Sequence, residues 1–212
     1  MMDHTKENQR DRYEAFLRRR AERIQRLRED LQELFPDRSA LTLELGCGHG
    51  HFLTAFAEAH PQARCLGVDL VSKRIRKARA KAGKRGLDNL AFLKAEVGEL
   101  LDAWLETLPV ERIFVLFPDP WPKKRHAKNR ILQLPVLDCL ARRAQPDTCL
   151  HFRTDHPGNF SWNREQIALH PLWEIDPLAE WPFESSSFFQ ELLPDYQSFT
   201  ARCRPPDGMA LR

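Results

Sequence analysis

From residue 37 onward, short apolar runs alternate with segments of helical period, and this alternation limits the fold more than any other feature. Runs at 41–45, 64–68, 89–94, 113–117 and 149–153 have the length of strands and are bounded by turn residues or charges. Helical segments are expected at 51–59, 72–84, 96–106, 131–143 and 159–169. Strands joined through helices require crossovers, which build a mostly parallel, twisted sheet with helices on both faces. The expected fold class is therefore α/β and Rossmann-like, with residues 173–175 and 197–203 as edge strands. No internal repeat or long low-complexity linker interrupts the pattern.

Ahead of this domain, residues 6–35 read as a single basic helix. Ile24, Leu27, Leu31 and Leu34 recur at helical spacing, so one side can dock on a core. Arg12, Arg18, Arg19, Arg20, Arg23, Arg26 and Arg28 surround the rest, with Glu22, Glu29 and Asp30 among them. Two readings follow: a solvated face balanced by those acids, or an arm that touches RNA phosphates. The chain divides into an arginine-rich helical extension, 1–36, and one α/β domain, 37–212.

Composition removes several classes. Apolar residues form 42% of the 212, too many for a disordered chain. The longest apolar runs fall far short of a bilayer span, and the N-terminus lacks the apolar stretch of a secretory leader. Cys47, Cys65, Cys139, Cys149 and Cys203 form no C-x-x-C pair, which points to reduced thiols, a cytoplasmic setting and no metal site. The net charge is only +3, so the placement of charge matters more than its sum.

The sequence Glu44-Leu45-Gly46-Cys47-Gly48-His49-Gly50 follows the first strand and opens the first crossover helix. Glycine there permits a tight turn and close approach of a ligand to the backbone. Asp69 ends the second strand, where a carboxylate can accept both hydroxyls of an adenosine ribose. Glu44 just before Gly46 would repel a pyrophosphate and favour a cation, so charge favours S-adenosyl-L-methionine over NAD and leaves an NAD dehydrogenase as a weaker alternative. The E-x-G-x-G-x-G pattern resembles that of class I methyltransferases. That resemblance implies cofactor binding by Glu44, Gly46, Gly48, Gly50 and Asp69, and adenine contact at Ala95-Glu96. Glu96 reads equally well as a solvated carboxylate near the positive end of a helix.

After the fourth strand comes Phe117-Pro118-Asp119-Pro120-Trp121-Pro122, whose three prolines call for a stiff, extended loop holding Asp119 at the ligand-binding edge of the sheet. Lys123, Lys124, Arg125, His126, Lys128 and Arg130 follow at once, a local charge suited to cradling phosphates or, on the bland reading, a solvated loop. The stretch FPDPWPKKRHAKNR resembles the signature of bacterial tRNA (guanine-N7-)-methyltransferases, and the likeness runs from about Leu43 to Asp155 in motif order. It implies a Rossmann-like class I methyltransferase that methylates a variable-loop guanosine of tRNA, as a monomer or homodimer without a membrane partner. Asp119 would be the catalytic or cofactor-side carboxylate, and Lys123 and Asp155 would bind substrate. Lys124, Arg125, His126, Lys128 and Arg130 would touch RNA. Asp155 would serve equally well as a helix cap before Pro157.

The family's T-x-F-E motif has its nearest counterpart here in Ser187-Phe188-Phe189-Gln190, making Ser187, Phe189 and Gln190 further substrate-binding candidates. Gln190 replaces a charged acceptor with a neutral amide. Alternatives are a methyltransferase for another RNA or a small molecule, and an RNA-binding protein with a degenerate site.

Overall fold

A computed structural model of the chain describes residues 3–184 and 195–204. Its elements, in chain order, are α1 (Asp3–Leu34), β1 (Leu41–Leu45), α2 (His51–Ala59), β2 (Arg64–Asp69), α3 (Ser72–Lys84), β3 (Leu90–Lys94), α4 (Val97–Ala103) and β4 (Val110–Leu116). A 3-10 helix (Lys124–Asn129), α5 (Leu134–Ala141), β5 (Ala144–Thr154), α6 (Pro157–Leu169), β6 (Trp173–Ile175) and β7 (Gln197–Cys203) follow. The strands form one sheet in the order β3-β2-β1-β4-β5-β7-β6. The first five are parallel, and β7 runs antiparallel to both β5 and β6.

The strand order reverses between β1 and β4, which opens a crevice at the carboxyl edge where an open α/β sheet takes its ligand. Every β1 side chain is buried, as expected of a central strand covered on both faces. One face packs α1, α4 and α5 through Leu27, Leu31, Leu100, Leu137 and Leu140. On the other, Phe52 and Phe56 of α2 pack with Ile75 and Ala78 of α3 and with Phe92 and Phe114 of the sheet. Phe92 fills its space so closely that a Cβ on Gly67 would come within 2.6 Å of its ring.

Several expected boundaries shift. β5 begins at Ala144 rather than near residue 149, because Ala144 pairs with Val110 before the register breaks; Asp147 lies inside the break with φ 70°. α5 starts at Leu134, placing Pro135 in its first turn where no backbone donor is needed. The basic stretch after Pro122, which reads as loop in the sequence, winds into the 3-10 helix at Lys124–Asn129. Among the described residues no helix is long and apolar enough to cross a membrane, and no cluster of side chains could hold a metal. All five cysteines are free, and only Cys149 is partly exposed.

Candidate active site

The glycine turn after β1 is clamped to the neighbouring strand. Gly46 and Cys47 both donate their backbone N–H to the Val68 carbonyl at 2.9 Å. Gly46, Gly48 and Gly50 all have positive φ, at 79°, 55° and 65°. At Gly50 space is closed as well, since a Cβ would meet the Phe92 ring at 2.5 Å. A Cβ on Gly48 would meet nothing within 4 Å, so this peptide fronts open space. Its N–H donates to Asp69 Oδ2 at 3.1 Å, and the Val71 N–H donates to Oδ1 at 2.7 Å. Asp69 is thus fixed between the glycine turn and the start of α3, with Arg74 at 3.4 Å. A carboxylate has about four lone-pair sites and three are engaged, so a diol accepted at both oxygens takes the free site and displaces the long Arg74 contact.

Glu44 lies deeper, at 3% exposure, and its Oε2 has no hydrogen-bond partner. Burial, with repulsion from Asp69 adding to it, pushes its carboxyl up to about 8. A cation brought to this point would repair both the orphaned oxygen and the cost of ionising it. Beyond Asp69, Leu70 and Val71 are 63% and 42% exposed, an apolar surface beside an acid. The Ala95 N–H donates to the Asp69 carbonyl at 3.2 Å, bringing the start of α4 alongside. Glu96 is exposed there and makes no side-chain cap bond. An orphaned carboxylate, an acid for a diol and an apolar ledge suit the ammonium, ribose and adenine of S-adenosylmethionine.

The proline loop leaves β4 with two non-glycine residues at positive φ, Phe117 at 48° and Trp121 at 42°. Such backbone persists only when its surroundings enforce it. Here the Phe117 N–H donates to the Arg153 carbonyl at 2.8 Å. Arg130 Nε and Nη2 donate to the carbonyls of Pro120 and Trp121 at 3.1 and 3.3 Å, and its guanidinium lies 4.7 Å from the Trp162 ring centre. Asp119 stands exposed at the apex of this braced turn, with no polar partner among the described residues. Trp121 is half-buried against His126 and takes no part in the main core.

Lys123, Arg125 and Lys128 are exposed, His126 is half-buried, and Lys124 opens the 3-10 helix. Among the described residues Arg125 bonds only to its neighbour His126, at 3.2 Å. Arg130 differs from them because the loop itself engages its guanidinium. Asp155 follows β5, next to the loop in the sheet because Leu116 pairs with Arg153. It is exposed and does not cap α6; the ring of His156 accepts the Asn159 N–H at 3.1 Å instead. Ser187, Phe189 and Gln190 lie outside the described residues.

Two features escaped the sequence reading. Leu70 and Val71 were legible only as a weak sign, apolar residues where a helix start is usually polar. Arg153, 4% exposed on β5, lies between the rings of Trp181 and Tyr196 at 3.9 and 4.4 Å and pairs with both oxygens of Glu184. Tyr196 also meets Phe117 edge-on at 6.0 Å, so this cluster backs the root of the proline loop. No periodicity announces a buried arginine whose partners Trp181, Glu184 and Tyr196 all lie in the chain beyond α6.

The model of a family described as putative methyltransferase matches residues 38–190. Among curated proteins, the chain is 35% identical over 155 residues to a tRNA (guanine-N(7)-)-methyltransferase of Rhodospirillum rubrum, covering 72% of this chain and 60% of that one. It is 34% identical to a protein of that name from Ureaplasma urealyticum, covering 73% and 69%. The corresponding Halorhodospira halophila protein is 38% identical, covering 68% and 63%. The chain thus spans less than two thirds of the Rhodospirillum rubrum and Halorhodospira halophila proteins and slightly more of the Ureaplasma urealyticum one. Among solved structures, the fold is similar to a 16S rRNA (adenine(1408)-N(1))-methyltransferase from Catenulisporales acidiphilia, solved with its cosubstrate SAM (TM-score 0.56, 17% identity, covering 85% and 92%). It is also similar to the antibiotic-resistance methyltransferase Kmr (TM-score 0.51, 23% identity, covering 84% and 93%).

Proposed function

Because the chain belongs to the family of tRNA (guanine-N(7)-)-methyltransferases, we propose that it transfers a methyl group from S-adenosylmethionine to N7 of a variable-loop guanosine in tRNA, in the cytoplasm. The observation that carries this reading is Asp119, held exposed by a braced turn after β4, the strand that lies between the one bearing Asp155 and the one that opens the glycine turn.

When bound, the cofactor supplies an electrophilic methyl group on a sulfonium. Glu44 would hold the ammonium end, Asp69 the ribose, and Leu70 with Ala95 and Glu96 the adenine. N7 of guanine carries a free lone pair and no proton, so the chain needs no general base. Its task is alignment, together with charge placed where the purine becomes positive. Transfer of that methyl would leave the purine positively charged. Asp119 and Asp155 accept hydrogen bonds from the amide edge of guanine or stabilise the cationic ring. Lys123, Lys124, Arg125, His126 and Lys128 meet the phosphates around it. Cys47 is no nucleophile: it is buried in the turn, and burial raises its thiol well above the ordinary value.

The test uses protein, methyl-labelled S-adenosylmethionine and tRNA from cells lacking N7-methylguanosine, with the labelled site mapped by cleavage at the labile base. Label at one variable-loop guanosine is expected. Cofactor binding with no label in tRNA would overturn the substrate. Asp119→Asn is expected to lower kcat by about 100-fold or more while the fold stays intact; near-normal kcat would remove Asp119 from the mechanism.

A further inference from the structure

Helix α1 is longer than the body it packs on. Its 32 residues extend about 48 Å, whereas the six residues of β2 cover about 20 Å. Its last turn lies at the amino edge of the sheet, where Arg64, the first residue of β2, donates to the Leu34 carbonyl at 2.8 Å. Arg23 and Arg26 lie at the opposite edge, lining a cavity of about 440 Å³ with Leu70, Ala95 and Glu96, the residues beside the adenosine site. Arg20 and Arg23 are the last residues toward the N-terminus that tie the helix to α4, through Asp102 and Glu99. Residues 8–19 therefore project past the carboxyl edge, the edge that carries Asp119, by about 18 Å. All of them except Ala15 are exposed.

This projecting half has a definite chemistry. At 100° per residue, Tyr13, Phe16 and Leu17 continue the stripe that Ile24, Leu27 and Leu31 bury lower down, and they are 62%, 54% and 44% exposed. Arg12, Arg19 and Arg26 recur every seven residues along one flank of that stripe, with Arg23 beside them. The flank that faces the adenosine side at Arg23 and Arg26 thus continues outward as Arg19 and Arg12. Neither has an ion-pair partner among the described residues. Arg18 points the other way, on the side of Asp11 and Glu14.

We propose that residues 8–20 of α1 form a second tRNA-binding surface, with Arg12 and Arg19 on phosphates and Tyr13 and Phe16 stacked on an unpaired loop base. This rests on the tRNA reading above. A row of guanidinium groups beside exposed aromatic rings fits RNA, which offers anions and unstacked π-faces together. A second copy of the same helix would set arginine rows against one another unless its register avoided them.

The test compares unmodified tRNA binding by the full chain and by three sets of variants: Arg12→Glu with Arg19→Glu, Tyr13→Ala with Phe16→Ala, and Arg18→Glu on the opposite flank. Both arm pairs are expected to raise the tRNA Kd at least tenfold, with S-adenosylmethionine Kd and melting temperature unchanged. The arginine pair should also lower the slope of log affinity against log salt by about 2. Arg18→Glu is expected to change the Kd less than threefold. A loss from Arg18→Glu of half or more of the binding free energy lost in the arginine pair would reduce the effect to general attraction and overturn the surface. An unchanged tRNA Kd with an altered oligomeric state would assign the stripe to a second copy instead. Lys123→Glu with Arg125→Glu separates the two proposals. Loss of binding there with none in the arm variants overturns the arm alone, whereas an unaltered protein that binds no tRNA overturns both.

Discussion

Glu44 has its carboxyl raised to about 8 in the folded protein against an ordinary 4.5, chiefly by burial. The folded state therefore holds a proton that the unfolded chain has already released. The stability from this group is whole below 4.5 and is lost as the pH rises through 8. Replacing it with the neutral isostere, Glu44→Gln, should flatten the pH dependence of the cofactor-free melting temperature across that window, by the equivalent of a few kcal/mol (~2–4) at its upper end. Parallel wild-type and variant curves would show that Glu44 does not carry this proton. For the same reason a cation seated beside Glu44 expels the proton, so S-adenosylmethionine should bind more tightly as the pH approaches 8, and not in the variant. Gly50 has a different constraint, positive φ with an aromatic ring behind it. Gly50→Ala should cost roughly 2–4 kcal/mol, read from denaturant unfolding; an unchanged midpoint would mean that Phe92 moves aside freely. The motif made Gly50 legible as a ligand glycine, but a long-range contact with Phe92 gives it a packing role that no local pattern encodes.

Among elements, the proline loop departs most from its sequence reading. Prolines predicted stiffness, but the stiffness also needs two residues at positive φ and a guanidinium that holds two carbonyls from ten and nine residues away. Arg130→Ala should release that brace and lower kcat on tRNA about 10- to 100-fold while cofactor affinity holds. Arg130→Lys should rescue little, because an ammonium cannot bridge both carbonyls and lie flat over Trp162. Unchanged kcat with weakened tRNA affinity would instead return Arg130 to the phosphate contacts that its sequence neighbourhood suggests. Most other elements were legible because period alone separates a five-residue buried run from an amphipathic helix. β1, α2, α3, β6 and β7 fall where the pattern places them. β5 was harder, since its first residues pair with β4 across a register break that Pro146-Asp147 disguises as a turn. Helix α1 was legible as a helix with a docking face; that only half of it docks became visible once the sheet supplied a length to compare.

For the molecule as a whole, charge is arranged rather than abundant: a net +3 coexists with cations gathered on the loop after β4 and along the outer half of α1. Raising salt from about 50 to 200 mM should weaken tRNA binding by more than tenfold and leave S-adenosylmethionine affinity nearly unchanged. Equal salt sensitivity would argue against a polyanionic substrate. Much of the cofactor side could be read in advance, because its parts follow one another as strand, turn, helix, strand and acid. The substrate side was legible as residue types after β4 and β5, but their orientation depends on pairing between strands 37 residues apart at Leu116 and Arg153. The same arrangement bears on how the protein comes into being. Glu44, Asp69, Glu96, Asp119 and Asp155 are each supplied by the end of a different strand or the loop beyond it. During synthesis the ribosome must therefore release five strands before these groups can meet, and β5 must wait for β7 to cover its other side. Until then a chain that stops before β5 carries the cofactor residues of β1 to β3 without Asp155, so the side of the site proposed for guanine is the last to be completed.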